Sequence, residues 1–226
     1  MSKAPCFSFG RDSTSMLIDF KQIQFLKSAA ELSHLPRDYG AEVAFAGRSN
    51  AGKSSAINAI TGIRHLAKTS KTPGCTQLIN LFSLNENQRL VDLPGYGYAK
   101  VPKAIKLRWQ ETLSQYLQTR ECLRGLILLS DIRHPLNPYD QSLIEWSFEV
   151  NLPVIMLLTK ADKLGFGAAK KTALEVKRAA REYPNLEQVV IFSAHAGTGL
   201  DETRGLIANL LNSNKKTGEA IIAPPV

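Results

Sequence analysis

The chain is poor in cysteine, in long apolar runs and in acidic residues, and each shortage narrows the field. Cys6, Cys75 and Cys122 form no C-x-x-C pair and leave an odd count, so a disulfide framework is excluded and a reducing, cytoplasmic setting is expected. His34, His65, His134 and His195 are scattered without zinc spacing and read as loop or surface residues. The longest apolar runs, 125–129 and 154–158, fall far short of the ~20 residues that a membrane helix requires. Residues 1–11 hold no continuous apolar core and no small-residue cleavage site, and nothing there reads as a secretory signal. Asp and Glu total 20 against 28 Lys and Arg, a formal charge of +8 and a pI near 9.4. No internal repeat or low-complexity tract is present. With 226 residues, 44% of them hydrophobic, the chain suits one α/β core and a monomer.

Against these absences stands a set of short motifs in a fixed order. Gly47-Arg48-Ser49-Asn50-Ala51-Gly52-Lys53-Ser54 fits G-x-x-x-x-G-K-[ST]. It lies between the apolar Val43-Ala44-Phe45-Ala46 and a helix-like stretch, the strand-to-helix setting of a phosphate-binding loop. Glycines let the backbone wrap a polyphosphate, the helix N-terminus supplies positive ends, Lys53 reaches the outer phosphates and the Ser54 hydroxyl is a ligand for Mg²⁺. Downstream, an apolar run ends in Thr159-Lys160-Ala161-Asp162, an (N/T)KxD arrangement. A carboxylate there accepts from guanine N1–H and the exocyclic amine together, while adenine offers no such donor pair, and the Lys160 stem lies along the base. GTP is therefore expected over ATP.

Two further segments complete the set. Asp92-Leu93-Pro94-Gly95 follows an apolar strand as DxxG: Asp92 is expected to hold Mg²⁺ through a water, and the Gly95 N–H to meet the γ-phosphate. Val189-Val190-Ile191-Phe192 runs into Ser193-Ala194, where a backbone N–H is placed for guanine O6. Between the first motifs, the loop Thr72-Pro73-Gly74-Cys75-Thr76-Gln77, continuing into Leu78, carries Thr76 as a further Mg²⁺ ligand and γ-phosphate sensor. Lys53, Thr76 and Gly95 are the expected catalytic contacts.

Strand and helix signals alternate. Strands are expected at 42–46, 78–84, 89–92, 125–131, 154–159 and 188–192, and helices at 53–61, 103–120, 138–150, 168–183 and 200–212, with a short helix within 20–32. The pattern predicts a P-loop G domain over 39–212. It has a six-stranded, mostly parallel sheet with one antiparallel strand, helices on both faces and nucleotide at the carboxyl ends of the strands. Residues 1–38 read as an N-terminal extension and 213–226 as a mobile tail. On a helical wheel, Lys170, Lys171, Lys177, Arg178 and Arg181 fall within about 120°, opposite Ala169, Ala173, Val176, Ala180 and Tyr183. Either a solvated face or a nucleic-acid contact accounts for that stripe.

These residues resemble the EngB type of bacterial GTPase, within the translation-factor-related class. The resemblance spans about 20–211 and rests on Gly47 to Ser54, on Thr69 to Asn80, on Asp131-Ile132-Arg133-His134-Pro135, on Thr159 to Asp162, and above all on the tyrosine-rich Asp92-Leu93-Pro94-Gly95-Tyr96-Gly97-Tyr98-Ala99. It implies a GTP-binding factor acting in large ribosomal subunit assembly and needed for normal cell division and septation, with rRNA or ribosomal protein of that subunit or its precursor as partner. Cys75 stands where the resemblance leads one to expect a basic residue before the threonine, a departure that bears on an RNA contact from that loop and not on Mg²⁺ binding. Tyr96 replaces the glutamine that orients water in many GTPases, so intrinsic hydrolysis is expected to be slow. Asn50 matches the asparagine that related GTPases use to hold K⁺. The competing readings are a division-site interaction protein that never touches RNA and an ATP-dependent small kinase.

Overall fold

Apolar runs too short for helices form the centre of the sheet. Ala41–Gly47 (β2), Leu123–Asp131 (β5) and Val154–Thr159 (β6) are buried along nearly their whole length, as strands covered on both faces must be. The computed structural model describes residues 18–68, 78–96 and 103–213, the side chains of 103–109 excepted.

Seven strands pair in the order β1-β3-β4-β2-β5-β6-β7, with Gln24–Ala29 as β1, Ile79–Ser83 as β3, Gln88–Asp92 as β4 and Leu186–Ile191 as β7. β3 is antiparallel to both β1 and β4, and every other neighbouring pair is parallel. The β3–β4 connection is closed by Asn85, whose side-chain oxygen accepts from the N–H groups of Asn87 and Gln88 at 2.9 Å each. Helices Lys103–Thr119 (α2), Pro138–Glu149 (α3) and Phe166–Ala179 (α4) cover one face through residues such as Tyr116, Leu143 and Val176. Lys53–Thr61 (α1) and Leu200–Asn212 (α5) cover the other through Ile57, Ile60, Ile207 and Leu211. Among the described residues no helix is long and apolar enough to cross a membrane.

The sheet has seven strands where six are expected from the sequence. The difference lies in residues 20–32, which read as a short helix: Phe20–Gln22 is a single 3-10 turn capped by Asp19, and β1 follows it. Pairing wins over helix propensity because β1 satisfies the backbone groups along the free edge of β3, and Phe25 packs edge-on against Phe82 with ring centroids 6.1 Å apart. Helix α4 begins two residues earlier than expected and ends at Ala179, followed by a 3-10 turn at Ala180–Glu182. The readings for 1–15, 69–77, 97–101 and the tail beyond Ser213 lie outside the described residues.

At the amino end of the sheet, the fully buried Glu42 accepts from Arg89 Nε at 2.7 Å, Arg120 Nη2 at 2.6 Å and Tyr116 Oη at 3.2 Å. Burial opposes its ionisation, but the hydrogen bonds and positive charges of Arg120 and then Arg89 outweigh that and hold its carboxyl below the ordinary range. This cluster ties the end of α2 to β2 and β4. The carboxyl ends are left to carry the motifs.

Candidate nucleotide site

The phosphate loop leaves β2 at Gly47 and enters α1 at Lys53. Gly52 takes φ +93° at the helix N-cap, a left-handed conformation that glycine adopts without a Cβ penalty. Asn50 is also left-handed at φ +67°, one of the few side chains that tolerate the region. The loop is braced from outside: Thr159 Oγ1 donates to the Ala51 carbonyl at 2.6 Å, so the start of the guanine-reading motif holds the floor of the phosphate loop.

Asp92 closes β4 beside this loop, and its carboxylate pairs with the Lys53 ammonium. The two motifs therefore converge on one point at the start of α1, where Ser54 is half-buried. A carboxylate and a hydroxyl at a helix N-terminus are oxygen donors that suit Mg²⁺, and the ammonium within reach suits the phosphate oxygens beside it. Beyond Asp92, Leu93 is anchored in the core, its N–H donating to the Phe45 carbonyl at 3.0 Å, and Pro94 is buried, whereas Gly95 is exposed. A Cβ on Gly95 would lie 3.3 Å from Ser49 Cα, so the DxxG turn runs against the phosphate loop with little space between them. Tyr96 continues this contact: its carbonyl accepts from Ser49 N–H at 2.7 Å and its N–H donates to the Gly47 carbonyl at 3.3 Å.

The base-reading segments gather at the ends of β6 and β7. Lys160 is left-handed at φ +57°, and its ammonium meets Asp131 Oδ2 at 3.0 Å. Asp131 also receives both Arg133 Nε and Nη2, at 2.9 and 2.7 Å, and the Arg133 hydrogen bonds, aided by Lys160, hold its carboxyl far below the usual range. Ser193 Oγ donates to Asp162 Oδ1 at 2.7 Å while Lys163 Nζ lies 3.3 Å from Oδ2. The Ser193 bond and, after it, Lys163 hold the Asp162 carboxyl below its ordinary range and so favour the carboxylate, the form that accepts from two donors. Ala161 N–H donates to the Phe192 carbonyl at 3.1 Å, joining the two segments.

The structure thus brings together residues 47–54, 92–95, 159–162 and 193–194. Leu78 is exposed just before β3, while Gly74, Cys75, Thr76 and Gln77 lie outside the described residues. The Phe192 ring sits in the core on the α1 and α5 side, so its backbone alone borders the base segments. The Ser193 N–H is committed to the Thr198 carbonyl at 3.0 Å, which leaves Ala194 to supply the backbone donor expected for guanine. Three roles go unassigned by the sequence reading: the Ser193 hydroxyl steadies Asp162, Asp131 clamps Lys160, and Asp140, which lies in none of the motifs, meets Tyr96. Tyr96 is 3% exposed, and its hydroxyl donates to Asp140 Oδ1 at 2.7 Å, turned into the protein.

Comparison with known proteins agrees with this geometry. A family model described as "50S ribosome-binding GTPase" matches residues 42–160. The probable GTP-binding protein EngB of Coxiella burnetii (strain RSA 493 / Nine Mile phase I) is 54% identical over 194 residues, 86% of this chain and 95% of that one. That of Aliivibrio fischeri (strain MJ11) is 54% identical over 190 residues, 84% and 88% of the two chains. Among solved structures, a crystal structure of a probable GTP-binding protein engB superposes with a TM-score of 0.62 at 22% identity, covering 76% of this chain and 98% of that one. Era in complex with MgGDPNP and nucleotides 1506–1542 of 16S ribosomal RNA gives 0.60 at 23% identity, covering 79% and 59%. These last two likenesses concern the fold alone. With the phosphate loop, the DxxG turn and the guanine-reading segments assembled at one end of a G-domain sheet, the chain belongs to the EngB family of GTP-binding proteins and is a GTPase.

Proposed function

We propose that this GTPase is a slowly hydrolysing molecular switch that acts in large ribosomal subunit assembly and through it supports normal cell division and septation. The observation that carries the reading is the flank of α4, which starts just after the guanine-reading loop. Ala169, Ala173 and Val176 are buried, while Lys170, Lys171, Lys177 and Arg178, and Arg181 in the 3-10 turn that follows, are all exposed. Phe166 is 76% exposed, with the Lys170 ammonium 4.3 Å from its ring centroid. Cations beside an exposed aromatic ring match the chemistry of phosphate contact and base stacking on RNA. The family description, which concerns 50S ribosome-binding GTPases, points the same way.

In this reading residues 47–54 wrap the phosphates, Lys53 exchanges its Asp92 partner for phosphate oxygens, Gly95 and Thr76 sense the γ-phosphate, and Asp162 with Ala194 select guanine. Ser54, Thr76 and, through a water, Asp92 would hold Mg²⁺, which would supply charge neutralisation on the phosphates. Hydrolysis is slow because the Tyr96 hydroxyl is engaged by Asp140 in the interior and does not orient a water at the position after Gly95. Asn50, exposed in the loop, would hold K⁺, whose charge would partly compensate. The protein works in the cytoplasm as a monomer.

Depletion of the protein in growing cells, followed by gradient separation of ribosomal particles, tests the assignment. Loss of mature large subunits and accumulation of a large-subunit precursor, with small subunits unchanged, is expected. A division defect with normal ribosomal particles would instead establish a division-site interaction protein.

A further inference from the structure

Asp140 belongs to no nucleotide motif, yet it sits at the junction of three of them. It is the third residue of α3, fully buried, after the Asn137 cap whose side-chain oxygen accepts from its N–H. Its Oδ1 accepts from Tyr96 Oη at 2.7 Å and its Oδ2 from Ser130 Oγ at 2.6 Å. Ser130 ends the buried part of β5, and its carbonyl lies 3.2 Å from Thr159 Oγ1, the hydroxyl that braces Ala51. A chain of polar contacts therefore runs from the residue after Gly95, through the start of α3, to the guanine-reading strand and the phosphate loop. Burial, then the Asp140 carboxylate, push the Tyr96 phenol well above its usual range, so the phenol remains a donor.

A Phe facing a Leu would fill this volume without the cost of burying a carboxylate. What the polar pair adds is a fixed distance and direction for the Tyr96 backbone, which is itself zipped to Gly47 and Ser49. We propose that Tyr96 and Asp140 are positioning residues: their hydrogen bond holds the Gly95 peptide against the phosphate loop, and so sets the preference for GTP over GDP and the rate of hydrolysis. This rests on the reading that the Gly95 N–H meets the γ-phosphate.

The test is titration of Tyr96→Phe, Asp140→Asn and Gly95→Ala with GDP and with a non-hydrolysable GTP analogue in Mg²⁺, alongside GTP turnover and thermal melting. Tyr96→Phe is expected to weaken the analogue about tenfold, the scale of one hydrogen bond to a charged group, and to slow turnover with GDP affinity unchanged. Asp140→Asn, which still offers one acceptor, is expected to fall between it and the unaltered protein. Equal weakening of both nucleotides with a lower melting temperature, or no change in either, would overturn the proposal and leave a packing role. Gly95→Ala separates the two layers. If it loses the analogue selectively while Tyr96→Phe does not, the latch alone fails; if it leaves the analogue-to-GDP ratio unchanged, the Gly95 reading has failed beneath it.

Discussion

Replacing Asp162 probes base selection most sharply. Its carboxylate is fixed by Ser193 Oγ at 2.7 Å and approached by Lys163 Nζ at 3.3 Å, and its side chain is 22% exposed. Guanine presents two donors to it, and each hydrogen bond to a charged group contributes about 1.5–3 kcal/mol. The two bonds are not additive and water partly replaces them, so about 3 kcal/mol is the loss expected for Asp162→Ala, a weakening of GDP on the order of 100-fold. Asp162→Asn sharpens the test: its amide nitrogen opposes the guanine amine but donates to the carbonyl that xanthine carries there. The variant should prefer XDP to GDP. Because the loop is partly exposed, unfolding free energy should change by no more than about 1 kcal/mol in either variant. Titration with fluorescent GDP and XDP, with ADP as competitor, reads the outcome. GDP retained to within about threefold by Asp162→Ala, or no gain of XDP by Asp162→Asn, would refute the assignment.

Other perturbations have equally definite outcomes. Lys53→Ala should abolish measurable binding of either nucleotide, since it removes the phosphate cation and leaves the buried Asp92 without its ammonium; nucleotide titration checks it. Glu42→Ala strands Arg89 and Arg120 in the interior and should cost about 3–5 kcal/mol in urea unfolding, with GDP affinity kept because the cluster lies at the other end of the sheet. Glu42 ionises below the ordinary glutamate range, so its stabilisation is complete above the unfolded-chain value and is lost as pH falls through the lower folded value. Melts across that acid range should show the loss, and Glu42→Gln should flatten it. Hydrolysis should run faster in K⁺ than in Na⁺ at equal ionic strength, and equal rates would remove Asn50 from K⁺ binding.

Much of the site was legible because its chemistry is local. The phosphate loop is a glycine and lysine spacing, the proposed guanine reader is four consecutive residues at a strand end, and β6, α1 and α5 have the bounds their patterns predict. What escaped depends on partners far along the chain. β1 has the composition of a helix, and its pairing with β3 joins Gln24 to Ser83. Asp140 meets a tyrosine 44 residues away, and the Ser193 hydroxyl meets an aspartate 31 residues away, distances over which no spacing rule operates. The sequence shows that Tyr96 is not a glutamine; that its phenol turns inward is decided by the approach of α3, which only the fold supplies.

The most direct test is co-sedimentation of the purified protein with large ribosomal subunits and their precursors, in GDP or a non-hydrolysable GTP analogue, across a salt series. Binding that requires the analogue and weakens by roughly 0.7–0.9 log units per log salt for each phosphate contacted is predicted, with a shallower slope when Lys170, Lys171, Lys177, Arg178 and Arg181 are neutralised. Failure to bind any particle with either nucleotide would contradict the ribosomal role and leave a GTPase that acts elsewhere.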